Sequence, residues 1–275
     1  MKTWMLAACA AVSLIAADAA HPARMEVLHI PSGGVAINGI AYLASGAGAH
    51  PTVVLFHGMP GNEKNLDLAQ AIRRAGWNVV TFNYRGSWGS PGTFSFEGNL
   101  ADAKAVLAFV RDPAHATPLR IDTGKLVIAG HSMGGWVTAL TAAQDQGLAG
   151  AVLISAADMG GRGAVPGAKA MVVKAMAGDM ETLSSTTPEK MADEIIGFSP
   201  RLSFNAQVAK GLSTKPLLVL TSDDGLAPSA DKLVAQIKAD GGTMVTAHHE
   251  ATDHGWSGKR IALEALVISW LQGLK

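Results

Sequence analysis

Mainly apolar runs alternate with amphipathic runs along the chain from residue 25 onward. Residues 52–56, 125–129, 151–155 and 216–221 are runs of this apolar kind, which is typical of strands buried on both faces of a sheet. Between them lie stretches with apolar residues at helical spacing, such as residues 99–111. The alternation predicts an α/β fold in which helices cover both faces of a mostly parallel sheet.

The remaining patterns complete a predicted sheet of eight strands. Residues 25–31 and 35–43 are separated by Ser-Gly-Gly, which predicts an antiparallel hairpin at one edge. The other predicted elements are strands at residues 77–82 and 243–247 and helices at residues 65–74, 136–143, 228–240 and 259–271. Asn65 is interpreted as the residue that caps the first of these helices.

Residues 159–214 do not fit the alternation, and we interpret them as a small helical cap laid over the sheet. Thr187 followed by Pro188 predicts a helix that begins with proline in its first turn. The segment contains five methionines, namely Met159, Met171, Met176, Met180 and Met191. Their flexible side chains suit either an adaptable apolar pocket or the seam between cap and core.

Composition and charge narrow the classes of partner. Of the 275 residues, 48% are hydrophobic and 16% are charged, which predicts a globular domain with a sizeable core. Lys and Arg total 22, and so do Asp and Glu, so no net charge attracts nucleic acid or anionic lipid. A small neutral molecule is therefore the expected partner, and the pattern predicts nothing about oligomeric state.

The N-terminal residues have the form of a signal peptide. Lys2 precedes an apolar run over residues 4–17, and small residues around 17–19 resemble a cleavage site. The run is shorter than the ~20 residues that a spanning helix needs, so we expect no stable membrane span. We predict a signal peptide at residues 1–20, a domain at residues 21–275, and a secreted or periplasmic protein. Because Cys9 is the sole cysteine, that domain would contain no disulfide and no thiolate site.

A candidate nucleophile lies between a predicted strand and a predicted helix. Residues 130–134 read Gly-His-Ser-Met-Gly, which fits the G-x-S-x-G pattern of a nucleophile elbow in the context that it requires. Glycines at both ends are expected, because a Cβ there would collide with neighbouring backbone in so tight a turn. Ser132 is therefore the predicted nucleophile.

A serine hydroxyl is a weak nucleophile at neutral pH and needs a base that is itself oriented by an acid. Asp223 and Asp224 follow the predicted strand at residues 216–221, where open α/β sheets place ligand groups. His254 lies in the loop after the last predicted strand. The order Ser, Asp, His is thus present, and this reasoning alone leaves two carboxylates to choose from.

With these motifs, the chain from residue 25 onward resembles the α/β-hydrolase superfamily. Members often carry an aspartate four residues before a proline after the seventh strand, a spacing that Asp224 and Pro228 fit. The resemblance therefore implies Asp224 as the residue that orients His254. It also implies the α/β-hydrolase fold, with an eight-stranded sheet and a small helical cap.

The stretch at residues 57–61, His-Gly-Met-Pro-Gly, is similar to the H-G-x-x-G segment that these hydrolases have after the third strand. This similarity implies an oxyanion hole formed by the backbone N–H groups of Met59 and Met133. His57 is expected to have a structural role and to bond to loop backbone.

The activity implied is that of a serine hydrolase, most simply an esterase for small or medium neutral acyl groups. A peptidase is the second interpretation, because residues 198–200 and 253–255 look like parts of the prolyl oligopeptidase catalytic domain. A third is a non-catalytic binding protein on the same fold. No cofactor is expected, and no metal either, since the adjacent His248 and His249 would face opposite sides of a strand.

Overall fold

The computed structural model describes residues 21–274, so the predicted signal peptide and Cys9 lie outside the described residues. The strands are β1 (Arg24–Ser32), β2 (Val35–Leu43), β3 (His50–Phe56), β4 (Asn78–Phe82), β5 (Ile121–His131), β6 (Gly150–Ile154), β7 (Leu217–Ser222) and β8 (Val245–Glu250). They form one sheet in the order β1-β2-β4-β3-β5-β6-β7-β8. Within this sheet β2 is antiparallel to β1 and β4, and the other neighbouring strands are parallel. The predicted mostly parallel eight-stranded sheet is confirmed.

The helices are α1 (Leu66–Arg74), α2 (Phe96–Arg111), α3 (Pro113–Ala116), α4 (Met133–Gln144), α5 (Met159–Arg162), α6 (Ala168–Met176), α7 (Pro188–Phe198), α8 (Ala206–Leu212), α9 (Ala227–Ala239) and α10 (Arg260–Gln272). Helix α2 begins three residues before the predicted start, because the Ser95 side chain accepts a hydrogen bond from the Gly98 amide and caps it. None of the helices within residues 21–274 is long and apolar enough to cross a membrane.

The predicted capping role of Asn65 is wrong. Asn65 does stand immediately before α1, but its backbone is left-handed, with φ of 56°, and its side chain caps nothing. Instead the Asn65 side-chain oxygen accepts a hydrogen bond from Arg260, 3.0 Å away. The side chain thus joins α1 to the first turn of α10 and does not satisfy the helix end.

Two apolar layers form the core, one on each face of the sheet. Alternation along the buried strands sends Val54 and Leu153 to one face and Val53 and Val152 to the other. The first face packs against α2, α4 and α9, and the second against α1 and α10. Because full burial of such a side chain stabilises the fold by about 1.5–3 kcal/mol, these layers hold the sheet rigid beneath its loops.

The predicted cap segment, residues 159–214, contains helices α5 to α8 between β6 and β7. Met159, Met176 and Met191 are buried in the same core cluster as the strands, and Met180 packs against it. Met171 is instead 62% exposed. The buried methionines therefore fill the seam between the cap segment and the sheet, which is the simpler of the two roles considered from the sequence.

Candidate active site

Strand β5, a sharp turn and helix α4 place Ser132 where the elbow motif predicts it. Ser132 has φ of 57° and ψ of −122°, a conformation that costs a non-glycine residue on the order of 1–3 kcal/mol. A Cβ on Gly130 would lie 2.1 Å from the Gly134 carbonyl oxygen, and one on Gly134 would lie 2.2 Å from the Phe56 carbonyl oxygen. Only glycine fits at either position, so the packing around the turn maintains the strained serine.

The structure brings Asp224 and His254 together. Nδ1 of His254 lies 2.7 Å from Oδ2 of Asp224, and the amide of Leu226 donates to Oδ1 at 2.9 Å. The Asp224 side chain is 4% exposed, whereas that of His254 is 41% exposed. Burial alone would raise the pKa of Asp224, but the hydrogen bonds from His254, Leu226 and Ser222 outweigh it and lower the pKa below 3.8. Asp224 is therefore a carboxylate suited to orient an imidazole.

Asp223 faces a different partner. Its side chain is 63% exposed and contacts Nε2 of His249 at 3.1 Å. The Nδ1 atom of the same ring lies 2.9 Å from Oγ1 of Thr221. The neighbouring carboxylate is thus directed to the exposed end of β8 and away from His254.

Three contacts hold the loop that carries His254. The Nε2–H of His131 donates to the His254 carbonyl oxygen at 2.8 Å. Nε1 of Trp256, a fully buried side chain, donates to Oγ of Ser155 at 3.0 Å. Arg260 donates to the Gly255 carbonyl oxygen at 2.9 Å. The loop is therefore tied to β5, to the end of β6 and to α10.

Ser132 is linked to His254 through His131, the residue before it in the chain. The His131 and His254 rings are 4.5 Å apart between centroids. Among the hydrogen bonds of the described residues, none joins Oγ of Ser132 to Nε2 of His254. A hydrogen bond between nucleophile and base commonly forms or tightens only in the complex with substrate, so the contact of the neighbouring residue with His254 is the relevant observation.

His131 is a site residue that sequence reasoning missed. Burial, followed by the nearby charge of His254, lowers the pKa of His131 to about 4. The ring is therefore neutral at neutral pH and adds no positive charge beside His254. The signal in the sequence was a histidine directly before the nucleophile, but its partner lies 123 residues away.

The two amides predicted to form the oxyanion hole are Met59 and Met133. Neither donates a hydrogen bond to another described residue, and Met133 is the first residue of α4, where amides lack a partner within the helix. A Cβ on Gly58 would lie 2.9 Å from the Ser132 Cβ, so the loop that carries Met59 passes directly over the serine. Both amides are thus available close to the Ser132 side chain.

His57 fixes the direction of one of these amides. Its Nδ1 donates to the Gly58 carbonyl oxygen at 2.7 Å, and this carbonyl belongs to the same peptide unit as the Met59 N–H. Because C=O and N–H point in opposite directions across a trans peptide, holding the first orients the second. Burial lowers the pKa of His57 to about 4, so the ring is neutral. The contact is of the backbone-bonding kind expected for His57.

Metal-binding geometry is not found around these side chains. Within residues 21–274, no group of three His, Cys, Asp or Glu side chains is arranged to hold a metal ion. His248 lies 3.2 Å from a Glu250 carboxylate oxygen, while His249 contacts Thr221 and Asp223.

Comparison with known proteins places this geometry among hydrolases. A family model described as "Serine aminopeptidase, S33" matches residues 47–193, more than half of the chain. An uncharacterized protein of Mycobacterium tuberculosis strain H37Rv, Rv2307c, is 30% identical over 106 residues, which cover 38% of each chain. The match thus spans about two fifths of the length of that curated relative.

Solved structures share the fold over nearly the whole chain. A Pyrobaculum calidifontis esterase superposes with a TM-score of 0.69 at 20% identity, covering 95% of this chain and 90% of its own. EstE1, a thermostable carboxylesterase cloned from a metagenomic library, superposes with a TM-score of 0.66 at 26% identity, covering 93% and 91%. The α/β-hydrolase architecture predicted from the motifs is thereby confirmed.

Proposed function

Because the chain belongs to the serine aminopeptidase S33 family and is a serine hydrolase of the α/β-hydrolase fold, we propose that it hydrolyses carboxylic esters with small or medium neutral acyl groups. Ser132 is the proposed nucleophile, His254 the base and Asp224 the residue that orients the base. The observation that carries the proposal is the buried Asp224 carboxylate, 2.7 Å from the ring of His254, which lies 4.5 Å between centroids from the ring of His131, the residue before the strained serine.

The proposed reaction has two halves. Oγ of Ser132 attacks the ester carbonyl carbon while Nε2 of His254 takes the hydroxyl proton. The tetrahedral intermediate collapses, the C–O bond to the alcohol breaks, and the alcohol leaves with that proton. A water molecule then attacks the acyl-enzyme and gives a proton to His254. Breakdown of the second intermediate releases the carboxylic acid and returns the proton to Ser132.

Charge develops on the carbonyl oxygen in both halves. The Met59 and Met133 amides are proposed to donate to this oxyanion, since both lack an acceptor among the described residues. Loss of one such donor typically costs about 10²–10³ in rate. His57 supports the Met59 amide by holding the carbonyl of the same peptide unit.

Three observations support an ester substrate with a neutral acyl group. The chain is 26% identical to a carboxylesterase over nearly its full length. Its formal net charge is zero, which gives no long-range preference for a charged substrate. The cap segment reaches the oxyanion loop, because Thr182 Oγ1 donates to the Pro60 carbonyl oxygen at 3.1 Å. A segment placed there would cover an acyl group bound at Ser132.

A peptidase activity is the second candidate, and the description of the matching family favours it. Hydrolysis rates for p-nitrophenyl butyrate, alanine p-nitroanilide and dipeptidyl p-nitroanilides separate the two candidates. We expect turnover of the ester, with the anilides slower by orders of magnitude. Faster turnover of the anilides would overturn the ester assignment, and the Ser132→Ala variant is the control for background hydrolysis in each assay.

We also propose that the protein is exported after removal of residues 1–20. The support is the charged start, short apolar run and small residues at positions 17–19. N-terminal sequencing of protein recovered from a bacterial periplasm or medium tests this proposal. A mature chain that starts near residue 20 is expected, and an uncleaved chain retained in the cytosol would contradict it.

A further inference from the structure

Arg162 lies on α5, the short helix that follows β6, close to the candidate site. The turn before this helix touches the nucleophile, because the Ala157 amide donates to the Ser132 carbonyl oxygen at 3.0 Å. Asp158 then caps α5 by accepting from the Gly161 amide at 3.0 Å. Helix α5 ends at Arg162, about 6 Å further along its axis at 1.5 Å per residue. Arg162 is thus positioned within a side chain's reach of the site.

Arg162 is a partly buried residue. Among the described residues it donates no hydrogen bond and forms no ion pair. Three other partly buried arginines pair with carboxylates: Arg85 with Asp102, Arg111 with Asp145, and Arg260 with Asp67. Arg73 is, like Arg162, partly buried with no side-chain partner among the described residues, but it lies on α1 and not beside Ser132.

Two carboxylates act on Arg162 without bonding to it. Burial lowers the pKa of Arg162, while the charges of Asp158 and Asp224 oppose the shift. Both carboxylates already accept hydrogen bonds, Asp158 from the Gly161 amide and Asp224 from the His254 ring. The cation is therefore held near the acid of the proposed triad with its N–H donors unused.

No nitrogen of Arg162 is among the fully buried unpaired atoms of the described residues, so its donors are accessible as well as unused. An accessible, unused guanidinium next to a reactive site is suited to bind a ligand. Its planar fork of five donors matches a carboxylate or a phosphate. The leaving alcohol takes its proton from Nε2 of His254 and so departs next to this ring, whose other nitrogen bonds to Asp224, the carboxylate whose charge acts on Arg162. We propose that Arg162 binds a carboxylate or phosphate on the alcohol part of the ester substrate, whose acyl part is neutral.

This inference rests on the proposed esterase function and adds the charge of the leaving group to it. Three butyryl esters with one aromatic ring test it: 4-butyryloxybenzoate, 4-butyryloxyphenyl phosphate and the neutral 4-butyryloxybenzamide. Comparing each variant with wild type on the same ester removes differences in intrinsic reactivity. The benzoate and phosphate arms distinguish which oxyanion the site prefers.

We expect Arg162→Met to lower kcat/KM for at least one anionic ester about 10- to 100-fold more than for the benzamide ester, mainly through KM. Arg162→Lys should retain part of this selectivity, because it keeps the charge but loses the fork. Arg201→Met is the matched control: Arg201 is another cap arginine, 64% exposed and paired with Glu97. Because an exposed pair contributes little, its selectivity should change by less than about twofold.

Equal losses on all three esters would show that Arg162 only balances the charge of Asp224, and this would overturn the proposal. A melting temperature for each variant identifies any unfolding. Wild type supplies a measurement independent of the variants, since 4-hydroxybenzoate or 4-hydroxyphenyl phosphate should inhibit more strongly than 4-hydroxybenzamide. If the two anionic phenols do not inhibit more strongly than 4-hydroxybenzamide, the anion site is contradicted while the esterase function stands. If wild type hydrolyses none of the three esters, both the esterase function and the anion site are overturned.

Discussion

Replacing Asp224 with asparagine tests how the carboxylate sets the state of the imidazole. Asp224 accepts from the Leu226 amide on one oxygen and from His254 Nδ1 on the other. In Asp224→Asn the side-chain carbonyl keeps the Leu226 amide, so the NH2 group faces Nδ1. That atom must then accept a hydrogen bond, which moves the ring proton to Nε2 and prevents His254 from acting as a base.

The expected loss in kcat is about 10⁴-fold, or about 5 kcal/mol of transition-state stabilisation. Hydrolysis of p-nitrophenyl butyrate measures it, with melting temperature as the test of folding. Asp223→Asn is the matched control, because Asp223 is 63% exposed and pairs with His249. It should change kcat less than about threefold. A large loss in Asp223→Asn, or near-normal activity in Asp224→Asn, would refute the reasoning.

Two further variants test the elbow and the buried histidine. Gly134→Ala places a Cβ 2.2 Å from the Phe56 carbonyl oxygen. We therefore expect the free energy of unfolding, measured by thermal denaturation, to fall by about 1–3 kcal/mol and the activity to fall about 10²-fold. Gly197→Ala, on a helix with nothing within 4 Å, should be neutral or stabilising, and equal effects would contradict this account. The pKa of His131 is about 4 in the folded protein and 6.5 in the unfolded chain. As the pH falls from 6.5 to 4, His131 is protonated in the unfolded chain but not in the folded protein, so the free energy of unfolding decreases over that window. His131→Gln should reduce the slope by about 1.4 kcal/mol per pH unit in urea titrations, and an unchanged slope would show that His131 is not buried neutral.

The buried strands were predictable because their patterns are local. Residues 52–56 form a continuous apolar run, and the strand there extends from His50 to Phe56. The elbow was predictable because its pattern occupies five consecutive residues, and a Cβ on Gly130 would meet the Gly134 carbonyl oxygen only four residues away. The contact that requires Gly134, with the Phe56 carbonyl oxygen, comes from a distant strand and is visible only in the structure. Where a short stretch of sequence determines the geometry, the sequence is sufficient to predict it.

Contacts between distant segments were not predictable in this way. Asn65 is a residue type that often caps helices, yet its side-chain oxygen accepts a hydrogen bond from Arg260, 195 residues away in the chain. His131 acts on the His254 backbone across 123 residues. The choice of Asp224 over Asp223 came from a family spacing, while the burial that separates the two carboxylates appears only in three dimensions.

Arg162 shows the same limit in the cap segment. Helix α5 has four residues, too few to give a periodic pattern, and nothing in the sequence around Arg162 distinguishes it from Arg201. Only the packed structure shows that Arg201 pairs with Glu97, while Arg162 lies near Asp224 and has no partner within residues 21–274. Specificity residues on irregular segments therefore depend on the fold for their recognition.

The central claim is that Ser132 is an activated nucleophile. Reaction with a fluorophosphonate probe, followed by peptide mass spectrometry, tests it without knowledge of the natural substrate. We expect one adduct, on the Ser132 hydroxyl, with labelling abolished in Ser132→Ala and slowed strongly in Asp224→Asn. A folded wild-type chain that takes up no probe, as a non-catalytic binding protein would, or an adduct on another residue, would contradict the account.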